Sequence, residues 1–409
     1  MNVLHINQSD IVGGAAIAAH RLHQGLIAAG MQSRLLVGEP CLQREEVAPT
    51  PRSQFIERQT SRIAWRLGLN YINLHSTFRI PNEEFFSAAD VVNFHNLHGS
   101  YFNYLALPKL TNLKPAVWTL HDMWSFTGHC AYSMDCERWK TGCGHCPYPD
   151  TNPPIGRDST RLEWKLKRWV YSKSNLVFVT PSRWLQSIAK QSIVGSSPVF
   201  HIPNGIDTDV FKPFDPLEAR AKLGLPRAKS VIMFAAQDLS DWRKGGNLLV
   251  KALELLSTSL KRESLLLLLG GKASSFQTIA GIEAASLGYI ARDEQKALAY
   301  SAADVFVLPT RSDNLPLVLQ ESLACGTPAV SFDVGGVGDL VLPEQTGFLA
   351  KPEDCADLAL GISEVLRESG NSSRLRDRCR EMATTEFDIR IMVKRYCELY
   401  ESLILQTEN

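Results

Sequence analysis

Short apolar runs recur along the 409 residues without the polar alternation of half-exposed strands, and this narrows the fold most. VLHIN at Val3, RLLVG at Arg34, VVNF at Val91, AVWTL at Ala116, LVFVT at Leu176 and VFHI at Val199 are separated by helical patterns. The second half repeats the grammar with VIMFAA at Val231, LLLLLG at Leu265, VFVLP at Val305 and AVSFD at Ala329. Strands apolar on both faces belong in parallel sheets covered by helices on both sides. The length exceeds what one hydrophobic core usually supports. The pattern therefore predicts two doubly wound α/β domains in succession.

The break between them is read in HIPNGIDTDVFKP, His201 to Pro213, where Pro203, Asn204, Gly205 and Pro213 interrupt regular structure. This sets expected domains at 1–203 and 204–385, with a terminal segment at 386–409. A hinge there would leave a cleft between the domains. The terminal segment, FDIRIMVKRYCELYESLI from Phe387, reads as an amphipathic helix with Ile389, Met392, Tyr396 and Tyr400 near helical spacing.

With 44% apolar and 21% charged residues, the chain has the composition of a soluble globular protein. Its 43 basic and 43 acidic residues provide no global field for nucleic acid. The start, MNVLHINQSD, lacks the charged and apolar regions of a secretory signal, and no later run is long enough to span a bilayer. A cytoplasmic protein is expected.

Two loops carry phosphate signals. Gly13 and Gly14 lie between the first apolar run and a helix expected to begin near Ala15. Glycines let backbone approach a ligand, and a helix N-terminus favours an anion. The same pair also fits a tight turn with close helix packing. Arg243 and Lys244 stand directly before Gly245, Gly246 and another helix. Two cations there suit a diphosphate, or form an ordinary solvated pair.

The stretch TRSDNLPLVLQESLACGTP, from Thr310, is more specific. It reads as a loop and then a helix, with Asp313 or Asn314 as N-cap, Pro316 in the first turn and Gly326 just past the end. Asp313 then precedes the helix and Glu321 sits within it, with room for a phosphate at the intervening turn. A cap and a solvated helix residue would explain Asp313 well, and Glu321 among Leu317, Leu319, Leu323 and Ala324 less well.

These residues resemble the acidic signature of the GT-B glycosyltransferases of family 4, usually two Glu separated by seven residues. Asp313 occupies the first position here. Other similar blocks follow in order: GGAA at Gly13, WTLHDMW at Trp118, PSRWL at Pro181, IPNGID at Ile202, RKG at Arg243 and ACGTPAVSFDVGGVGDLV at Ala324. WTLHDMWSFTGHCAYSMDCERWKTGCGHCP is particularly similar to a bacterial exopolysaccharide subgroup related to colanic acid transferases.

The resemblance implies two Rossmann-like domains facing a cleft, acceptor side first and nucleotide-sugar side second, and a C-terminal helix crossing back to the first domain. It implies anomeric retention and no cofactor for the chemistry. Glu321 would hold the donor's ribose. Asp313 and the following amides, at Asn314 and Leu315, would engage the transferred sugar. Lys244 with Arg243 would neutralise the diphosphate, Gly13 and Gly14 would border the donor, and His121 would stand near the donor sugar. The family often has Arg five positions before the lysine, where this chain has Leu239. Cations and helix N-termini can stabilise the departing diphosphate without a general base. The acceptor implied is a saccharide or lipid-linked sugar. A nucleotide-sugar epimerase or a non-catalytic nucleotide-sugar-binding protein would use the same fold.

Cys130, Cys136, Cys143 and Cys146 crowd one Gly-rich loop beside His129 and His145. Four thiols ending in CxxC suit a structural zinc, or reduced side chains packed beneath the loop. TRLEWKLKRWVYSKS, from Thr160, reads as a helix with a Thr160–Glu163 capping box. Its Lys165, Lys167, Arg168, Trp164 and Trp169 suit an anionic membrane at the inner face, or an ordinary helix with its tryptophans turned inward.

Overall fold

The computed structural model describes residues 1–235, 241–271 and 278–408. The chain divides into two compact units, Met1–Gly205 with Arg390–Asn409, and Ile206–Ile389. The crossings thus lie slightly beyond the expected boundaries at 203/204 and 385/386. Ile206 forms a parallel bridge with Asp388. Ile206 N donates to Phe387 O at 2.8 Å, and Ile389 N to Ile206 O at 2.9 Å. The chain therefore enters the second unit at that bridge and leaves it directly after.

The first unit is built on seven strands: β1 Asn2–Ser9, β2 Gln32–Glu39, β3 Val47–Pro49, β4 Val91–Phe94, β5 Ala116–Thr119, β6 Val177–Thr180 and β7 Val199–His201. Their order is β3-β2-β1-β4-β5-β6-β7, with every pairing parallel. The second sheet contains β8 Ser230–Ala235, β9 Ser264–Leu269, β10 Thr278–Ile279, β11 Ile282–Ser286, β12 Val305–Leu308, β13 Ala329–Phe332 and β14 Gly347–Ala350. It runs β10-β11-β9-β8-β12-β13-β14 and is parallel except for the β10–β11 pair.

The central strands are buried along their length: Val305, Phe306, Val307 and Leu308 all lie in the core, as do Leu265, Leu266 and Leu267. This explains their apolar character on both faces. Strands β3, β10, β11 and β14 escape the sequence reading. β3, β10 and β14 are short or edge-placed, and β11 is mostly half-exposed with Ile282 its only buried residue, so burial does not impress a continuous apolar run on them.

The terminal helix, Ile389–Glu408, returns to the first unit and completes its core. Tyr396 and Tyr400 are fully buried. Asn93 Nδ2 donates to the Tyr400 hydroxyl at 2.7 Å, and the Tyr396 hydroxyl lies 2.9 Å from Thr119 Oγ1. Thr119 Oγ1 also donates to Asn93 Oδ1 at 3.0 Å, so the two hydroxyls extend a buried polar network at the ends of β4 and β5.

The helix Thr160–Tyr171 departs from expectation. Its N-cap is Ser159, so no Thr160–Glu163 capping box forms. Glu163 instead accepts from Tyr104 Oη and Asn70 N, both at 2.7 Å. Lys167 is buried and donates to Trp124 O at 2.6 Å and Thr127 O at 3.0 Å, with its ammonium 3.6 Å from the Trp124 ring centroid. Trp164 is also turned inward, donating to Trp139 O at 2.8 Å. Lys165, Arg168 and Trp169 alone of the five proposed membrane-facing residues remain exposed. No helix among the described residues is long and apolar enough to cross a membrane.

Replacing Tyr400 by Phe strips Asn93 Nδ2 of its acceptor, while Oδ1 keeps Thr119 and packing is conserved. Urea unfolding should show a loss of about 1–3 kcal/mol, the range for leaving one buried polar group unpaired.

Candidate active site

Strand order determines which loops gather. The first sheet reverses direction between β1 and β4, and the second between β8 and β12. Crossovers on opposite faces leave a crevice at the carboxyl ends of such neighbours, where open α/β sheets bind ligands. Gly13 and Gly14 follow β1, and His121 follows β5. In the second unit Arg243 and Lys244 follow β8, while Asp313, Asn314 and Leu315 follow β12. Leu239 lies outside the described residues.

Charge joins the loops of the second unit. Lys244 Nζ donates to Asp313 Oδ2 at 2.6 Å, and Arg243 Nη1 stands 3.3 Å from the same oxygen. Arg243 Nη1 also donates to Ser312 O at 2.9 Å. The Asp313 side chain is only 12% exposed and that of Lys244 20%, so the pair is largely removed from water. Burial alone would raise the Asp313 pKa. The Lys244 and Arg243 charges outweigh it and hold the carboxyl below its ordinary value.

The backbone supports this arrangement. Gly245 has φ +73°, and a Cβ there would lie 1.8 Å from Pro309 O. Arg311 N donates to Arg243 O at 2.8 Å, binding the loop after β8 to the loop after β12. Gly335, φ +57°, brings the loop after β13 so close that its Cβ would lie 2.0 Å from Asp313 O. Gly336 N donates to that carbonyl at 3.1 Å. Three loops therefore meet around Asp313.

The acidic helix starts later than its sequence suggests. It spans Leu317–Ala324 with Pro316 as N-cap and no capping side chain. Neither Asp313 nor Asn314 is the cap, because the Asp313 carboxylate is committed to Lys244 and Arg243. Asn314 and Leu315 are buried beside it. Glu321 is buried on the helix, and its Oε2 accepts from the Tyr300 hydroxyl at 3.1 Å. Gly326 follows with φ +74°, as a helix end requires.

In the first unit, Gly13 with φ +94° is the N-cap of a helix that begins at Gly14, one residue before the expected start. No protein atom lies within 4 Å of where a Cβ would stand on either glycine. The space suits close backbone approach by a ligand. His121 is half-buried and continues inward as a row of rings. Its Nε2 lies 3.0 Å from His95 Nδ1, and His95 Nε2 lies 3.0 Å from His5 Nδ1. Beside it Asp122 Oδ2 pairs with His98 Nε2 at 2.9 Å. His5, His95 and His98 escaped the sequence reading. The signals were a histidine inside the apolar run VLHIN and HNLH directly after VVNF, at a strand's carboxyl end.

Residues 12–210 match the family model for Glycosyltransferase Family 4, and residues 216–385 match that for Glycosyl transferases group 1. The chain belongs to the GT-B glycosyltransferases of family 4. This glycosyltransferase is 29% identical over 357 residues to an Escherichia coli (strain K12) protein, WcaC, that bears the name of a colanic acid biosynthesis glycosyl transferase. The match covers 81% of this chain and 83% of that one. Among solved structures, sucrose-phosphate synthase from Thermosynechococcus elongatus superposes with TM-score 0.70 at 19% identity, covering 99% of this chain and 100% of the other. Anabaena HepE in complex with UDP-glucose gives TM-score 0.66 at 16% identity, covering 98% and 100%. These two likenesses establish the GT-B fold.

Zinc at the glycosyltransferase's four-cysteine loop is an expectation from spacing alone. Cys130, Cys136, Cys143 and Cys146 are unbridged and partly buried. Among the described residues no three His, Cys, Asp or Glu side chains form a group that could hold a metal ion. Gly128 N donates to Cys143 Sγ at 3.3 Å, whereas Cys146 Sγ faces His129 Nε2 at 3.2 Å. Burial pushes the Cys130 thiol up to about 12 and the Cys143 thiol to about 11, which keeps them protonated at neutral pH.

Desolvation lowers the pKa values of His5 and His95 well below 6.5, and those of His23 and His121 to about 4. Below about pH 6.5 the unfolded chain binds protons that the folded chain refuses. Stability is therefore full above that pH and falls as pH drops toward 4. Thermal unfolding should show a lower midpoint at pH 5 than at pH 7.5, and His23→Phe should flatten that dependence.

Proposed function

We propose that this glycosyltransferase moves a sugar, with retention of anomeric configuration, from a nucleoside diphosphate sugar to a saccharide or lipid-linked acceptor in polysaccharide biosynthesis. The observation that carries the reading is the desolvated contact of Lys244 and Arg243 with Asp313 at the carboxyl ends of β8 and β12. It is a prearranged charge cluster at the point where a doubly wound sheet binds nucleotides. The name of the Escherichia coli relative supports the polysaccharide assignment, and the UDP-glucose complex of the Anabaena protein supports a nucleotide-sugar donor.

In this reading Lys244 and Arg243 turn toward the donor's diphosphate and stabilise the charge that grows as the glycosidic bond breaks. Their charge calls for no metal. Asp313 is held as a carboxylate, so it accepts hydrogen bonds from sugar hydroxyls and is unsuited to donate a proton. The amides at Asn314 and Leu315 flank it, while Glu321, positioned by Tyr300, takes the ribose hydroxyls. His121 and the open glycine turn at Gly13 and Gly14 complete the donor-side assignments. The acceptor hydroxyl attacks from the face that the diphosphate leaves, and the departing phosphate oxygen takes its proton. Bond making and breaking thus balance without a base from the protein.

Lys244→Ala and Glu321→Ala should each reduce acceptor-dependent nucleotide release by at least about tenfold, the effect of losing about 1.4 kcal/mol of transition-state stabilisation. Unfolding curves identify the molecules that remain folded. Full activity in both variants defeats the site assignment. A thermal-shift screen of UDP-, GDP- and ADP-sugars identifies the donor by the stabilisation that mass action imposes. NMR of the new linkage should show the donor's anomeric configuration preserved, while epimerised donor in the absence of acceptor would mark an isomerase instead.

A further inference from the structure

The helix Gln54–Arg66 in the first unit turns its large apolar side chains outward. Its inward residues are Glu57 and Ala64, with Thr60 half-buried, while Phe55, Ile56, Ile63 and Trp65 are 78, 55, 62 and 60% exposed. Leu67, its C-cap, is exposed as well. A helix lying on its own core does the reverse and buries that stripe. Ile56, Ile63 and Leu67 recur at seven and then four residues, so they line one side, and Arg58, Arg62 and Arg66 recur every four along the adjoining side, all exposed. The helix has a single acid, Glu57, and it points inward, where its Oε1 accepts from Ser76 N at 2.9 Å.

The helix Thr160–Tyr171 repeats the arrangement beside it. Its single acid, Glu163, is buried on Tyr104 and Asn70, while Arg161, Lys165 and Arg168 are exposed together with Leu162 and Trp169. The two helices meet end to end. Ser159, the N-cap of the second, donates through Oγ to the carbonyl of Leu67, the C-cap of the first, at 2.6 Å. A Cβ on Gly68 would lie 2.1 Å from Arg157 O, and one on Gly156 would lie 2.7 Å from the Trp65 ring. Asp158, at the join, already accepts from Cys146 N at 2.7 Å and Thr160 Oγ1 at 2.6 Å. Three exposed cations from each helix and a set of exposed apolar side chains therefore share one region of a chain whose total charge is balanced.

We propose that these two helices are the surface by which the protein rests on an anionic lipid bilayer. The cations meet headgroup phosphates, and Phe55, Ile56, Ile63 and Leu67 enter the boundary between headgroups and acyl chains. The charge selects this occupant over a second copy of the chain, which would set like charges against each other. The apolar stripe selects it over nucleic acid, whose phosphates make no use of exposed isoleucine. Most of the surface thus comes from a helix other than the one whose sequence suggested membrane contact, because Trp164 and Lys167 of that helix face inward. The proposal does not rest on the transfer reaction.

Sedimentation of the full chain with vesicles tests it. The protein should bind vesicles of phosphatidylcholine mixed with phosphatidylglycerol, release them in high salt, and leave vesicles of phosphatidylcholine alone unbound. Replacing Arg58, Arg62 and Arg66 together by Gln should weaken binding by about fivefold per arginine, which is about 1 kcal/mol for each near an anionic surface. Ile56→Ser combined with Ile63→Ser should weaken it at least about tenfold through lost apolar burial. All five side chains are exposed, so the thermal midpoints of both variants should match the native protein. Absence of binding to the mixed vesicles overturns the proposal, as does equal binding to the neutral ones or an unchanged affinity in the folded triple variant. Equally tight binding to a single-stranded oligonucleotide, indifferent to the two Ser replacements, would mark a nucleic-acid surface and overturns it too. No donor or acceptor is present, so failure here is distinct from failure of the proposed transfer reaction.

Discussion

The Asp313 contact with Lys244 organises the second unit's functional end. A carboxylate largely withdrawn from water is costly unless a cation meets it, and here two cations from a different loop do so. The loop after β8 is thereby held against the loop after β12. Glycine at 245 lets its backbone come within a distance that any Cβ would forbid, and glycine at 335 brings in the third loop in the same way. The ion pair and the two glycines are one arrangement, since the charges attract only if the backbones can approach.

The first unit solves a related problem with neutral polarity. Its switch point between β1 and β4 contains His5, Asn93 and His95, which a purely apolar interior could not satisfy. Histidine meets histidine along the row, and the returning terminal helix supplies the Tyr400 hydroxyl to Asn93. Lys167 shows the same economy with a charge, using two carbonyls and the face of Trp124. These buried networks place polar side chains near the carboxyl ends of strands without leaving the surrounding core open to water.

Much of the fold was legible because burial on both faces leaves a local imprint. Ten apolar runs predicted strands, and the four strands that escaped are short, at an edge or, for β11, mostly half-exposed, so that imprint is weak. Asp313, Lys244 and Glu321 were legible as a spaced set through family resemblance. Their partners were not: nothing local tells that Asp313 turns back to Lys244 instead of capping the helix, or that Glu321 meets Tyr300. Cys130, Cys136, Cys143 and Cys146 were legible as a crowded set, but not their contacts: the Gly128 amide meets Cys143 Sγ, and His129 Nε2 meets Cys146 Sγ.

The sequence by itself determined the two parallel sheets, an amphipathic terminal helix and the residue types available at the strand ends. Periodicity and burial are properties of consecutive residues, so they survive in a linear string. Only the tertiary structure decided that His5, His95 and His121 form one row, that Lys167 faces inward, and that the acidic helix begins after Pro316. Those outcomes depend on which buried donor finds which acceptor across long stretches of chain. A hydrogen bond is fixed by a few tenths of an ångström and a direction, and neither is encoded in spacing alone.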